Sequence, residues 1–194
     1  MIDREAALEL LREPGPESHL VQHALASEAV MRALARHFGE NEELWGLTGL
    51  LHDWDYPLTA DEPARHGLES AEKLKDSLPE EALQAIRAHN AECNGCTVNG
   101  RFDVALRCGE TVTGLISAAA LVRPTGIDGM QVSSLKKKMK DKAFAASVNR
   151  DIIRQCADMG MTLEDFLALA IEAMSGKAAE LGLGKAVQQQ DGRL

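Results

Sequence analysis

Aromatic side chains are scarce: two tryptophans, one tyrosine and four phenylalanines make up only 4% of 194 residues. The core must therefore be built from Leu, Ala, Ile, Val and Met, and the dominant pair, Ala and Leu, favours helix. Strand-type alternation is almost missing, which argues against a sandwich or a barrel. Basic residues are short as well, with 21 Lys and Arg against 30 Asp and Glu and a net charge of −9. That balance excludes a general role on nucleic-acid backbones, where phosphate contacts need surplus cations. It leaves room for a small phosphorylated substrate whose charge a local metal ion could meet. Four cysteines in a chain of this size do not make a disulfide framework. No apolar run reads as long enough to span a bilayer, and Met1 to Glu5 has no signal-peptide pattern. The expectation is a cytoplasmic protein with neither a membrane nor a nucleic-acid polymer as partner, its oligomeric state left open. Internal repeats and low-complexity domains are absent.

What the chain does contain is helical periodicity. At 194 residues and 45% hydrophobic content, one domain with one substantial core is expected. Residues 3–12 read as a helix ended by Pro14-Gly15-Pro16, so 1–17 form an N-terminal helix and linker. A second helix runs from Ser18 to about His37 on the apolar series Leu20, Ala24, Met31, Leu34 and Phe38, and Gly39 stops it. Asn41 caps a third over 42–53, with Leu44, Leu47, Leu50 and Leu51 buried. Pro57, Asp61 and Pro63 mark 54–65 as a loop. Helices follow from His66 to about Ser77 and from Pro79 to about Asn90, then a loop over 91–100. A long helix spans Phe102 to Val122 and is closed by Pro124. Beyond a connector at 125–132, two helices cover roughly 133–158 and a last one 162–181. Residues 123–187 would pack on the core formed by 18–122, and 188–194 would be a frayed tail. The fold class is an all-α, single-domain, non-repeating helical bundle.

Chemistry concentrates at Leu50-Leu51-His52-Asp53, where an apolar helical run ends in two adjacent metal-binding side chains. A buried carboxylate beside a buried imidazole is costly unless something neutralises it, and a metal ion would do so. His23 lies upstream, and His66 and His89 lie downstream. The ordered set uses four of the six histidines, leaving His19 and His37 as surface residues. In the long helix Glu110 shares a face with Gly114 and Ser117, where small residues let another helix approach. Two imidazoles and two carboxylates, from His23, His52, Asp53 and Glu110, suit a hard or borderline divalent ion.

Each of these residues also has a plainer reading. His66 could be exposed at a helix start, and His89 could be a helix C-terminal imidazolium. Glu110 could pair with Arg107. Cys93-x-x-Cys96 is at best half a zinc site and is read as two ordinary thiols. Lys136-Lys137-Lys138-Met139-Lys140 could steer a phosphorylated substrate, or simply form a solvated helix face.

The stretch Gly49-Leu50-Leu51-His52-Asp53 resembles the central motif of the HD-domain superfamily of metal-dependent phosphohydrolases, with His23 as the family's first histidine. Glu110-Thr111-Val112-Thr113-Gly114-Leu115-Ile116 resembles the helix bearing the last ligand, where the family has Asp and this chain has Glu110. His66 and His89 resemble the extra histidines of members with a binuclear centre, in which the Asp of the pair bridges two ions. Asp55 and Tyr56 stand where the HD-G-Y-P subfamily has Gly and Lys, which disfavours a cyclic-dinucleotide phosphodiesterase. The resemblance covers about 18–122, and the chain looks most like small HDIG-type proteins of bacteria.

The resemblance implies a centre of one or two divalent ions (Mn, Fe, Co, Ni, Zn or Mg), held by His23, His52, Asp53, His66, His89 and Glu110. It implies hydrolysis of a small phosphorylated metabolite or nucleotide by metal-activated water. Asp53 is then catalytic through the metal, and Asp55 is a candidate to handle the proton on nucleophile or leaving group. Two alternatives stand beside it: a di-iron oxygenase of HD type, and a degenerate HD module that senses or docks without catalysis.

Overall fold

The computed structural model describes residues 2–184, so the expected tail at 188–194 lies outside the described residues. Within them the chain is helical and has no strand. Helix α1 (Arg4–Arg12) is capped by Asp3, whose side chain accepts from the Ala6 amide at 2.9 Å. Helix α2 (Ser18–Phe38) ends at Gly39, and α3 (Glu42–Leu51) starts from the Asn41 cap, both as expected. Then come α4 (Tyr56–Thr59), α5 (Leu68–Leu74), α6 (Glu80–His89), α7 (Ala91–Asn94) and α8 (Gly100–Leu121). The last elements are α9 (Val132–Lys140), α10 (Arg150–Arg154) with a 3-10 turn (Gln155–Met159), and α11 (Leu163–Ser175).

Several boundaries differ from the expectation. The third helix stops at Leu51 and not at 53, and α5 begins at Leu68 and not at His66. The loops at 54–65 and 91–100 each contain a short helix, α4 and α7. Residues 141–149 form a non-helical strap between α9 and α10, and α11 gives way to turns after Ser175. The differences fall at helix ends and in the connections between helices, where side-chain periodicity carries little information.

Helix α8 is the centre of the bundle and packs against α2, α3, α6, α9, α10 and α11. By length and mean hydropathy it could cross a membrane, contrary to the expectation of no such run, but 67% of that window is buried inside the bundle. Its apolar residues, among them Leu106, Leu115 and Ile116, fill the core. The tightest seam lies between α2 and α3. A Cβ on Gly49 would come within 2.8 Å of the Ser27 carbonyl oxygen and 2.9 Å of Met31 Cγ. That seam sets how close His52, just beyond α3, comes to His23 on α2. Gly49→Ala is expected to push α3 outward and to cost about 1–3 kcal/mol, measurable as a lower urea midpoint.

Candidate metal centre

Regular helix ends at Leu51, and the chain tightens, with the Trp54 amide bonded to the Leu51 carbonyl at 3.1 Å. His52 and Asp53 stand in this turn, which lets two neighbouring side chains face one space. On a continuing helix they would diverge by about 100°. His52 is fully buried. His23 reaches the same space from α2, His66 from the turn before α5, and His89 from the last residue of α6. That last turn depends on Gly67, whose φ of +83° suits a residue without a Cβ. A side chain there would also strike the Ile86 carbonyl oxygen, 2.8 Å from its Cβ.

Three imidazole nitrogens surround Asp53 Oδ1: Nε2 of His52 at 3.1 Å, of His66 at 3.2 Å and of His89 at 3.2 Å. The other oxygen, Oδ2, lies 3.4 Å from His23 Nε2. The nitrogens also meet each other, His23 with His52 at 3.3 Å and His66 with His89 at 3.0 Å.

The far side of each ring sets its tautomer. His52 Nδ1 donates to the Gly49 carbonyl at 2.8 Å, and His89 Nδ1 donates to the Ile86 carbonyl. His66 Nδ1 donates to Asp55 Oδ1 at 2.7 Å. His23 Nδ1 lies 3.0 Å from Thr113 Oγ1, whose own proton goes to the Glu110 carbonyl at 2.7 Å. Every Nδ1 partner is thus an acceptor, so each Nδ1 carries a proton, and in the neutral form of each ring Nε2 carries the lone pair. Four lone pairs and a carboxylate converge on one space, and two bare nitrogens cannot hydrogen-bond each other. A cation resolves that conflict. Ligand atoms held ~2.1 Å from an ion are about 3.0 Å apart in octahedral and about 3.4 Å apart in tetrahedral geometry. The observed contacts, 3.0 Å to 3.4 Å, span that interval. They fall into two groups that share Asp53: His23, His52 and Asp53, and Asp53, His66 and His89.

The side chains of the site differ sharply in their hold on protons. Burial pushes His23 down to about 4 against the pull of Asp53, and burial likewise lowers His89. Burial opposes charge on His66 too, but hydrogen bonds to Asp53 and Asp55 raise it to about 10. His52 is raised because Asp53 outweighs its burial. Asp53 is held well below the usual carboxylate range, since His52 and its neighbours outweigh the burial that opposes its charge. Such opposed shifts in one cleft are typical of a functional site.

Glu110 stands one step back. Its Oε2 is 3.8 Å from His23 Nε2, its Oε1 accepts from the Thr111 hydroxyl, and burial lifts its carboxyl to about 7. The alternative partner, Arg107, is engaged elsewhere, with Glu92 and the carbonyls of Ala88 and His89. Asp55 corrects the expectation that it handles protons. It is fully buried, and its oxygens accept from His66 Nδ1, from the Gly67 amide at 2.8 Å and from the Ser70 amide at 2.9 Å. Saturated in this way, it holds His66 in place and does not face the cleft. Asp55→Asn is expected to weaken metal binding by about 10–100-fold, read by competition with a chromophoric chelator. Unchanged affinity would remove it from this role.

Thr113 carries no signal of its own in the sequence, although a hydroxyl one turn from Glu110 on α8 is the kind of residue that orients an imidazole. The Gly49 and Ile86 carbonyls left no signal in side-chain chemistry at all. His19 and His37 are exposed. All four cysteines are free: Cys108 and Cys156 are buried, while Cys93 lines the cleft.

A family model described as the HD domain matches residues 20–124, more than half of the chain. The chain belongs to the HD-domain family. A search of curated proteins and a search of solved structures found no match. HD domains form a superfamily of metal-dependent hydrolases and bind divalent ions, and the two His/Asp groups of this one could hold such ions. Above them the HD domain and the C-terminal segments packed on it enclose a cleft with two lobes of about 500 Å³ and 550 Å³. The lobes meet over His23, Asp53, Tyr56, Glu110, Gly114 and Ser147. Tyr56 sits edge-on to His66, with ring centroids 5.3 Å apart.

Proposed function

We propose that this HD protein is a phosphohydrolase acting on a small phosphorylated metabolite or nucleotide. The observation that carries the reading is the convergence of four imidazole Nε2 atoms on the Asp53 carboxylate, with every Nδ1 facing an acceptor on its far side. Divalent ions bound there would lower the pKa of a water molecule and polarise a phosphoryl oxygen. Asp53 would serve both positions, since its carboxylate lies against the histidines of both groups. Asp55 and Thr113 fix the rings of His66 and His23, so the ligands need no rearrangement. Glu110 is a ligand to the His23 side if its carboxylate advances, and otherwise faces the substrate from the floor shared by both lobes. No Lys or Arg lines either lobe among the described residues. The negative charge of a phosphoryl group would then be met mainly by the metal centre, and the rest of the substrate by neutral groups such as Ser117, Ser147 and Gln22. Two lobes of this size suit a small molecule better than a polymer.

The test is a panel of small phosphomonoesters and phosphodiesters assayed with added Mn, Fe, Co, Ni, Zn or Mg. Metal-dependent phosphate release that a chelator abolishes is the expected result. Metal at about 100 times its Kd adds ~2.7 kcal/mol of stability, so the melting temperature should rise by roughly 5–11 °C. A protein that gains this stability yet cleaves nothing in the panel would refute the phosphohydrolase reading while keeping the metal centre. Iron-dependent oxygen consumption would then point to the oxygenase.

A further inference from the structure

On the far side of the strap 141–149 from the metal cleft lies a second cavity of about 500 Å³. It is bounded by the end of α9, the strap and the start of α10, and it shares only Val148 and Asn149 with the metal cleft. Its charge is opposite to that of the chain. Lys140, Lys142, Arg150 and Arg154 line it against one carboxylate, Asp151, in a protein of net charge −9. Asp151 is engaged by Arg154, whose Nη1 lies 2.7 Å from its Oδ1. Lys140 and Lys142 are exposed and have no hydrogen bond or ion pair among the described residues.

Arg150 makes this more than a patch of surface lysines. It is only 9% exposed, yet among the described residues its guanidinium is paired with carbonyls and with no carboxylate. Its terminal nitrogens donate to the strap carbonyls of Asp141, Phe144, Ala145 and Val148, and its buried Nε has no partner. The strap is wrapped so tightly on this group that Ala145 takes a φ of +44°, a left-handed conformation costly for a residue with a Cβ. A buried cation compensated only by carbonyl dipoles, with an unused N–H, lacks a counter-charge. The open cavity beside it, ringed by free lysines, is where one can sit.

We propose that this cavity is a binding site for a small oxyanion such as phosphate, separate from the metal centre. Lys140, Lys142 and Arg154 supply the contacts, and Arg150 supplies the fixed positive field. The site does not depend on the hydrolytic reading, so the test uses metal-free full-length protein. Inorganic phosphate is titrated calorimetrically, with chloride at matched ionic strength as the control. Phosphate should bind and chloride should not. Lys140→Ala/Lys142→Ala should weaken phosphate about tenfold or more, the loss expected for hydrogen bonds to charged groups. Both lysines are exposed, so an unchanged melting temperature confirms that the fold is intact. His52→Ala should bind phosphate as the parent does. Undiminished binding in the lysine variant, loss of binding in His52→Ala, or equal responses to phosphate and chloride would each overturn the proposal.

Discussion

Asp53→Ala is expected to empty both halves of the metal centre at once. The reason is geometric: Oδ1 is within 3.2 Å of Nε2 of His66 and His89, while Oδ2 faces His23 at 3.4 Å. No other carboxylate among the described residues joins the two groups of potential ligands. Replacing His23 should weaken only the half it shares with His52, and replacing His66 only the half it shares with His89. Elemental analysis after dialysis separates these cases, with no metal retained by Asp53→Ala and partial retention by either histidine variant. Turnover in Asp53→Ala should fall by more than ~100-fold, since losing an outer-shell partner alone costs 10–100-fold. Full occupancy in Asp53→Ala would sink the shared-carboxylate arrangement.

Arg107→Met should be strongly destabilising. The guanidinium is 1% exposed and ties four segments together. Nη1 donates to the Ala88 carbonyl at 2.9 Å and the His89 carbonyl at 3.1 Å, and Nε donates to Gln155 at 3.2 Å. Glu92 on α7 pairs with the same fork. Methionine fills much of the volume but donates nothing, so the His89 carbonyl loses its guanidinium donor and the Ala88 carbonyl keeps only the Asn90 amide. Each lost bond costs about 1–3 kcal/mol, for a total of roughly 3 kcal/mol or more. For a domain of this size the melting temperature should drop by about 6–12 °C. Because His89 ends α6, the metal affinity of the His66/His89 half should fall with it. A shift of under about 2 °C would mean that water replaces the guanidinium without penalty.

The periodic elements and the candidate metal-binding side chains were readable from the chain because both depend on local chemistry. Helices α2 and α8 bury apolar faces that recur every three or four residues. His23, His52-Asp53, His66 and His89 were singled out by residue type and order, and the structure brings all five side chains into contact. The boundaries around the site were not readable. The helices nearest it were expected to include His52, Asp53 and His66. They do not, since a turn is what lets adjacent side chains converge, and Gly67 adopts a backbone angle that side-chain periodicity does not report.

The role of Asp55 illustrates the same limit. Its nearness to His52 in sequence suggested an acid at the mouth of the pocket. Its three donors come from residues 66, 67 and 70, so only the folded turn reveals that it is consumed. By itself, then, the sequence determined the helical class, the family and which histidines and aspartate are available to the site. Those properties follow from side-chain chemistry and spacing along one chain. The tertiary structure alone decided that Asp53 is shared, that Glu110 stands back and that a cationic cavity sits behind the strap. Those depend on distances of a few ångströms between segments far apart in the chain, and the α2–α3 seam and the packing of α8 set them.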